Sequence, residues 1–272
     1  MSKTGKKLCV IIGDPVEHSL SPVIHNAGYQ TLGIDDEYEY TAENVKPEEL
    51  KDFIQRIRDE NITGVSCTIP HKEAVIPYLD EIDETAKIIG AVNTIVNENG
   101  VLRGHNTDWV GAVEPLVQIC DLQGSNAAVI GAGGAGKAFV YGLTNAGCKV
   151  TIYNRTLEKA KQLAIQFGCE LRSLDEQSEI KNMDIICNTT SVGMNSDESP
   201  VNKNNLHQKQ VVFDAVYSPL QTRLLKDARE KGAKTIQGTE MLLHQAVAQF
   251  VLFTGQKAPA EAMRQALMER LK

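Results

Sequence analysis

Short apolar runs alternate with amphipathic stretches along most of the chain. Runs of four to six residues that are rich in valine and isoleucine are typical of strands buried on both faces of a sheet. Five of them lie at residues 8–13, 126–130, 149–153, 183–187 and 211–214. Between residues 126 and 236 such runs alternate with helical stretches, which predicts a parallel α/β sheet in the second half of the chain.

Local signals indicate where helices begin and where strands turn. A helix is predicted from Ser21, because serine followed by proline suits the N-cap and the first helical position. Asp83 is expected to cap a short helix, and Asn99-Gly100 indicates a hairpin between two strands. The other predicted helices include residues 47–58, 108–120, 238–253 and 258–271.

Composition limits the class of protein. The 272 residues suffice for two modest α/β domains or one large one, and the apolar content of 42% is ordinary for a globular protein. The formal net charge of −7 argues against nucleic acid and anionic membranes as partners. No apolar run approaches the roughly 20 residues that span a bilayer, and no metal-ligand spacing is present. The six cysteines are scattered, so we expect reduced core residues in a cytoplasmic protein.

A glycine-rich segment follows the apolar run in the middle of the chain. Gly131, Gly133 and Gly136 form the motif G-x-G-x-x-G between a strand and a helix, the context that this motif requires. In that motif the glycines permit a tight turn, close approach of a pyrophosphate, and packing of the helix on the strand. The following helix N-terminus supplies N–H groups to the anion. The segment, with Gly134 and Ala135, therefore predicts a dinucleotide site; a tight turn without a ligand is the alternative.

The strand after the glycine motif ends in Asn154-Arg155-Thr156. A site specific for NAD usually has an acidic residue here to bind the ribose 2′-hydroxyl. Arg155 can instead form charge-assisted hydrogen bonds to a 2′-phosphate, and Lys159 follows one helical turn later. Thr156 also suits the N-cap of the next helix. The sequence therefore favours NADP over NAD as the cofactor.

Charged and polar residues of the first half of the chain are further candidates. Ser21 is explained by capping, but Ser19 has no comparable local role, and two hydroxyls at a helix N-terminus suit a carboxylate ligand. Lys72 falls in the first turn of a helix, where a cation is unfavourable, so it is either solvated or held for a purpose. Asp108 suits the first turn of its own helix. Asn93 lies in an apolar run and needs a partner from protein or ligand.

Two later segments are candidate ligand contacts. The loop 188–194, which includes Thr190, follows a strand of the predicted parallel sheet, and ligands bind at the carboxyl ends of such strands. Gln245 and Gln249 fall four residues apart on one face of the predicted helix 238–253. Buried amides of this kind are usually satisfied within the core.

Nine segments, taken in order, resemble the shikimate dehydrogenase family over nearly the whole chain. They are HSLSP at 18–22, TIPHK at 68–72, GAVNT at 90–94, GHNTD at 104–108, the glycine motif at 131–136, NRT at 154–156, NTTSVGM at 188–194, VYSP at 216–219, and GTEML at 238–242 with Gln245. The chain departs from the family at Ser66-Cys67-Thr68, where many members have Asn-Val-Thr. A hydroxyl thus replaces an amide next to the expected substrate.

The resemblance implies a reversible, NADPH-dependent reduction of 3-dehydroshikimate to shikimate in aromatic amino-acid biosynthesis. It implies that Lys72 and Asp108 are the catalytic pair and that Ser19 and Ser21 bind the substrate carboxylate. The residues implied around the hydroxylated ring are Thr68, Asn93, Tyr217 and Gln245. The implied cofactor contacts are Gly131, Gly133, Gly134, Ala135, Gly136, Asn154, Arg155, Thr156, Lys159, Thr190 and Gly238.

The resemblance also implies an α/β fold with two α/β domains. Residues 1–107 and 238–272 would form the substrate-binding domain, to which the C-terminal helices return. Residues 108–237 would form a Rossmann-type NADP-binding domain, with the active site in the cleft between the two. We expect a monomer or a homodimer.

Two other functions stay open at this point. A quinate/shikimate dehydrogenase using NAD or NADP would differ in the pocket near Ser19, Ser66 and Thr68. A non-catalytic NADP-binding module on the same fold would be expected to have lost Lys72 or Asp108, and both are present.

Overall fold

The structure is a computed structural model and describes residues 5–272. The chain divides into two compact units, one up to Thr107 together with Gln245–Lys272, the other Asp108–His244. The first boundary follows Thr107. The second lies between His244 and Gln245, inside a helix that begins at Gly238, whereas the predicted boundary is the start of that helix.

The first unit is built on a mixed six-stranded sheet. Its strands are β1 (Lys7–Gly13), β2 (Tyr38–Asn44), β3 (Gly64–Cys67), β4 (Glu81–Ile82), β5 (Thr94–Glu98) and β6 (Val101–His105). They lie in the order β2-β1-β3-β5-β6-β4, and β5 runs antiparallel to both β3 and β6. The predicted hairpin is confirmed: Asn99 and Gly100, with φ of 57° and 94°, connect β5 to β6.

Four helices of the first unit precede residue 107. They are α1 (Ser21–Leu32), α2 (Leu50–Asp59), α3 (His71–Ala74) and α4 (Glu84–Ile89). Helix α2 buries Phe53, Ile54 and Ile57 on one face, as its helical spacing predicts. Asp83 caps α4, as predicted, and accepts the Ala86 N–H at 2.6 Å.

The second unit contains a six-stranded sheet in which every pair of neighbouring strands is parallel. Its strands are β7 (Asn126–Ile130), β8 (Lys149–Asn154), β9 (Glu170–Ser173), β10 (Ile185–Asn188), β11 (Val211–Asp214) and β12 (Lys234–Ile236). The order β12-β11-β10-β7-β8-β9 is that of a Rossmann sheet, which confirms the predicted parallel architecture. The chain order reverses between β7 and β10, where such sheets bind ligands.

The helices of the second unit are α5 (Asp108–Val117), α6 (Gly134–Asn145), α7 (Leu157–Phe167) and α8 (Arg223–Glu230). Helix α9 (Gly238–Thr254) and helix α10 (Ala260–Arg270) follow. Within the described residues, no helix is long and apolar enough to cross a membrane. The same part of the chain contains no cluster of side chains that could hold a metal ion.

The C-terminal residues complete the core of the first unit. A Cβ on Gly64 would lie 2.3 Å from the Phe253 ring, and one on Gly28 would lie 2.7 Å from the Phe250 ring. Glycine is therefore required at both positions so that α9 can approach β3 and α1 closely.

Several predicted boundaries are wrong by a few residues. The apolar run at residues 90–96 predicts a strand, but β5 begins only at Thr94, because Gly90 takes a left-handed conformation and ends α4. Helix α5 ends at Val117 rather than Cys120. Strands β4 and β9 were not predicted, because they are short strands at the sheet edges without an apolar run.

Candidate active site

The glycine turn joins β7 to the twelve-residue helix α6, whose N-cap is Gly133. Gly131 has a left-handed φ of 105°, and a Cβ on Gly136 would lie 2.4 Å from the Gly131 carbonyl oxygen. Helix α6 is thus packed closely against the turn. A Cβ on Gly133 would meet nothing within 4 Å, so space is open beside the helix N-terminus. These three positions fit the pyrophosphate of a dinucleotide.

The loop after β10 lies beside this turn and is held by a buried carboxylate. Asn188 donates from Nδ2 to Asp214 Oδ1 at 2.9 Å, and the Thr222 hydroxyl donates to Asp214 Oδ2 at 2.6 Å. Burial raises the pKa of Asp214, and these hydrogen bonds partly offset that effect. The Thr190 hydroxyl donates to Asn188 Oδ1 at 2.7 Å, so it is used within the loop.

The turn after β8 presents two exposed cations. Within the described residues, the side chains of Arg155 and Lys159 form no hydrogen bond or ion pair. Asn154 Nδ2 donates to the Thr156 carbonyl oxygen at 2.7 Å and so shapes the turn. Thr156 is the N-cap of α7, as predicted, but its side chain makes no capping hydrogen bond. The arrangement suits a phosphate bound at this turn.

Two more predicted site residues lie near the end of the second unit. Gly238 is buried, and a Cβ there would lie 2.5 Å from the Ala215 carbonyl oxygen, so close packing alone requires glycine. Tyr217 is half-buried, and burial raises the pKa of its hydroxyl. That hydroxyl has no hydrogen bond within the described part of the chain, so a ligand is a suitable partner.

The prediction that Ser21 caps the first helix is wrong. The N-cap of α1 is Leu20, which makes no side-chain cap, and Ser21 is the first helical residue, 2% exposed. Ser19 Oγ accepts the Ser21 N–H at 3.3 Å. Because the helix begins one residue earlier than predicted, the local backbone role belongs to Ser19 instead.

Three predicted residues of the first unit are brought together by backbone hydrogen bonds. The Cys67 N–H donates to the Asn93 carbonyl oxygen at 2.8 Å, which places Thr68 next to Asn93. The Val92 N–H donates to the Lys72 carbonyl oxygen at 2.7 Å, which places α3 beside the same segment. Lys72 is the second residue of α3 and is half-buried.

The remaining predicted residues are buried. Asp108 is the first residue of α5 and 3% exposed, and Gln245 is 8% exposed on α9. Tyr40, which no sequence motif indicates, is 1% exposed and donates its hydroxyl proton to Ser66 Oγ at 2.6 Å. The one signal available was its alternation with Tyr38 along β2, which marks a buried face and not a hydrogen-bond partner.

These features define a class of protein. A Rossmann sheet with an open glycine turn, beside two cations that have no partner among residues 5–272, is typical of a dinucleotide-binding unit. A separate α/β unit that groups a lysine with threonine and asparagine is suited to polar substrates. The chain is thus a two-domain protein of the dinucleotide-dependent dehydrogenase class.

Three protein-family models match consecutive parts of the chain. Residues 11–95 match the shikimate dehydrogenase substrate binding domain, and residues 114–216 match shikimate / quinate 5-dehydrogenase. Residues 238–268 match the shikimate 5′-dehydrogenase C-terminal domain. The models together follow the order of the motifs along the sequence.

Individual relatives are similar over almost the full chain. The shikimate dehydrogenase (NADP(+)) of Thermococcus kodakarensis is 44% identical, covering 99% of this chain and 98% of its own. A crystal structure of a shikimate dehydrogenase in complex with NADP+ superposes with a TM-score of 0.94 at 39% identity, covering 100% of this chain and 98% of that one. The Thermus thermophilus enzyme with NADP(H) and shikimate gives 0.90 at 36% identity, covering 96% and 98%. This chain belongs to the shikimate dehydrogenase family.

Proposed function

We propose that this protein catalyses the reversible, NADPH-dependent reduction of 3-dehydroshikimate to shikimate in aromatic amino-acid biosynthesis. The observation that carries the proposal is the grouping of Lys72 with Thr68 and Asn93 in the first unit, in a chain whose relatives perform this reaction. We place the protein in the cytoplasm as a monomer or homodimer, with neither nucleic acid nor membrane as a partner.

The chemistry requires a proton donor near the ketone. Bound NADPH would supply the hydride, and negative charge then develops on the carbonyl oxygen. Lys72 donates a proton to that oxygen and, as a cation, stabilises the charge during the transfer. The family motifs assign Asp108 as the second member of the catalytic pair.

The substrate is held by hydroxyl and amide groups. Ser19 and Ser21 bind the carboxylate, while Thr68, Asn93, Tyr217 and Gln245 surround the hydroxylated ring. Asn93 Oδ1 already accepts the Thr107 N–H at 2.7 Å and the Thr94 hydroxyl at 2.8 Å. Asn93 Nδ2 donates to Thr107 Oγ1 at 2.9 Å, so both the oxygen and the nitrogen of this amide are held by the protein and its orientation is fixed.

The cofactor is NADP, bound by the second unit. Gly131, Gly133, Gly134, Ala135 and Gly136 form the pyrophosphate turn. The adenosine 2′-phosphate is bound by Arg155 and Lys159, because the charges of these two side chains have no partner within the described residues. Asn154 and Thr156 complete this part of the site. Thr190 and Gly238 shape the walls of the site through their backbones.

A four-way assay tests this function. The purified protein is mixed with shikimate or quinate and with NADP+ or NAD+, and the absorbance of the reduced cofactor is followed. We expect the highest kcat/KM for shikimate with NADP+. No turnover in any of the four mixtures would contradict the proposal and support a non-catalytic NADP-binding module.

A quinate/shikimate dehydrogenase is the second candidate. Ser66 stands where many family members have asparagine, and one of the matching family models covers both substrates. A kcat/KM for quinate that equals or exceeds that for shikimate would establish this second function.

A further inference from the structure

Five polar side chains of the first unit form one continuous chain of hydrogen bonds. The Tyr40 hydroxyl donates to Ser66 Oγ at 2.6 Å, and the Ser66 hydroxyl donates to Gln249 Oε1 at 2.9 Å. Gln249 Nε2 donates to Thr94 Oγ1 at 2.9 Å, and the Thr94 hydroxyl donates to Asn93 Oδ1 at 2.8 Å. Each of the five residues is at most 3% exposed. We call these five side chains the buried relay.

One backbone carbonyl sets the direction of the relay. Gln249 Nε2 also donates to the Asn93 carbonyl oxygen at 3.2 Å, so the amide cannot turn its own oxygen to that side. Gln249 Oε1 therefore faces Ser66 and takes the single proton of that hydroxyl. The Ser66 oxygen in turn accepts the proton of Tyr40. Both hydrogen-bonding functions of Ser66 are thus used inside the protein.

Tyr40 lies at the other end of the relay. Burial raises the pKa of its hydroxyl, and the hydrogen bond to Ser66 partly offsets that effect. His25, one turn along α1, stacks on the Tyr40 ring with centroids 4.2 Å apart and planes at 8°. The Tyr40 ring is therefore held in place by His25 at one end of the relay, and Asn93 lies at the other end.

We propose that Tyr40 and Ser66 are positioning residues that set the affinity for the substrate. Through Gln249 and Thr94 they fix the amide of Asn93, a group to which the proposed function assigns a substrate contact. Ser66 itself gives no hydrogen bond to the substrate. The inference rests on the proposed function and adds residues that no resemblance assigns.

The relay orients binding groups and does not reach the reacting carbonyl. Its loss weakens binding of the ground state and of the transition state alike, so KM rises while kcat is preserved. A purely structural loss would instead lower the amount of active protein, which reduces the apparent kcat and leaves KM unchanged.

The test is steady-state kinetics of Tyr40→Phe, Ser66→Ala and the double variant, with shikimate varied at saturating NADP+. Removing one buried hydrogen bond should raise KM for shikimate about 3- to 10-fold, with kcat within about twofold of the wild type. Tyr38→Phe is the matched control. It lies two residues away on β2, its hydroxyl accepts from Lys7 Nζ at 3.2 Å, and its KM should be unchanged.

A second pair of variants breaks and restores the relay at another point. Thr94→Val removes the relay hydroxyl at nearly constant shape and should raise KM by a similar factor. Thr94→Ser keeps the hydroxyl and should rescue KM. Thermal unfolding of each variant checks that it is folded, and if Tyr40→Phe or Ser66→Ala does not fold, the Thr94 pair decides.

The double variant distinguishes one relay from independent sites. In one relay the two losses overlap, so Tyr40→Phe with Ser66→Ala should raise KM no further than the larger single effect, whereas independent effects multiply. Unchanged KM in both single variants, multiplying effects, or failure of Thr94→Ser to rescue overturns the relay alone. A wild type that does not oxidise shikimate overturns the proposed function, and the relay with it.

Discussion

The two units offer polar groups to a ligand in contrasting ways. In the second unit the glycine turn presents the N-terminus of α6, and Arg155 and Lys159 are exposed cations. In the first unit the groups of the buried relay are at most 3% exposed and already hydrogen-bonded. A phosphate can be bound by exposed, long side chains because charge acts over several ångströms. A hydroxylated ring requires donors and acceptors of fixed direction, which only an ordered network supplies.

The largest effect should come from the lysine of the first unit. Lys72→Ala removes the proton donor, so kcat should fall by about 100-fold or more, while the affinity for NADPH, assigned to the second unit, stays unchanged. Rapid kinetics of NADPH oxidation and fluorescence titration of NADPH measure the two quantities. Lys87→Ala is the control, because Lys87 is exposed and pairs with Glu84 at 2.8 Å. If Lys72→Ala lowered the affinity for NADPH by as large a factor as kcat, the assignment of NADPH binding to the second unit alone would be wrong.

The next effect should be confined to the second unit. Arg155→Ala removes charge-assisted hydrogen bonds to the 2′-phosphate and should raise KM for NADP+ about 10- to 100-fold, with little change for NAD+ or shikimate. Initial rates with each cofactor measure the selectivity. Arg172→Ala is the matched control, since Arg172 lies on the neighbouring strand β9 and pairs with Glu170 at 3.1 Å. A similar change for both cofactors would show that Arg155 does not contact the 2′-phosphate.

The smallest effect concerns stability of the first unit. Burial lowers the pKa of His25 from 6.5 to about 3. Between these values the unfolded chain binds a proton that the folded protein excludes, so stability is retained above pH 6.5 and lost as pH falls below it. The loss should be about 1 kcal/mol near pH 6 and should grow as the pH falls further.

Chemical denaturation across this pH range measures the effect of His25. His25→Phe keeps an aromatic ring against Tyr40 and removes the titrating group, so its stability should depend less on pH than that of the wild type. If the free energy of unfolding changed equally with pH in the two proteins, His25 would bind a proton as readily in the folded state as in the unfolded state, which would contradict this prediction.

The cofactor side of the molecule was largely predictable from sequence, because it depends on neighbouring residues. Gly131, Gly133 and Gly136 specify one turn, and Arg155 follows at the end of the next strand. Asp83 and the hairpin at residues 99–100 were predicted for the same reason. Local backbone conformation, which the sequence encodes directly, decides all of these.

The substrate side could be predicted only in part. Family motifs point to Lys72 and Asn93, but the partners of Asn93 come from distant segments. Ser66 and Gln249, which share a hydrogen bond, are 183 residues apart in the chain. Ser21 shows a different limit: a shift of one residue in the start of α1 transferred the backbone role to Ser19. Neither the pairing nor the shift has a signal in local sequence.

The packing of Phe250 and Phe253 against the N-terminal part of the first unit has a consequence for biosynthesis. A ribosome makes the first strands of that unit early, and helices α9 and α10 only after the strands of the second unit. The second unit, made in between from one continuous segment, can close its core while the growing chain is still attached. Until α9 has been made, the surfaces of the first unit around Gly28 and Gly64 are not covered by Phe250 and Phe253. We therefore expect chaperones to bind the first unit of nascent chains that are halted before residue 245.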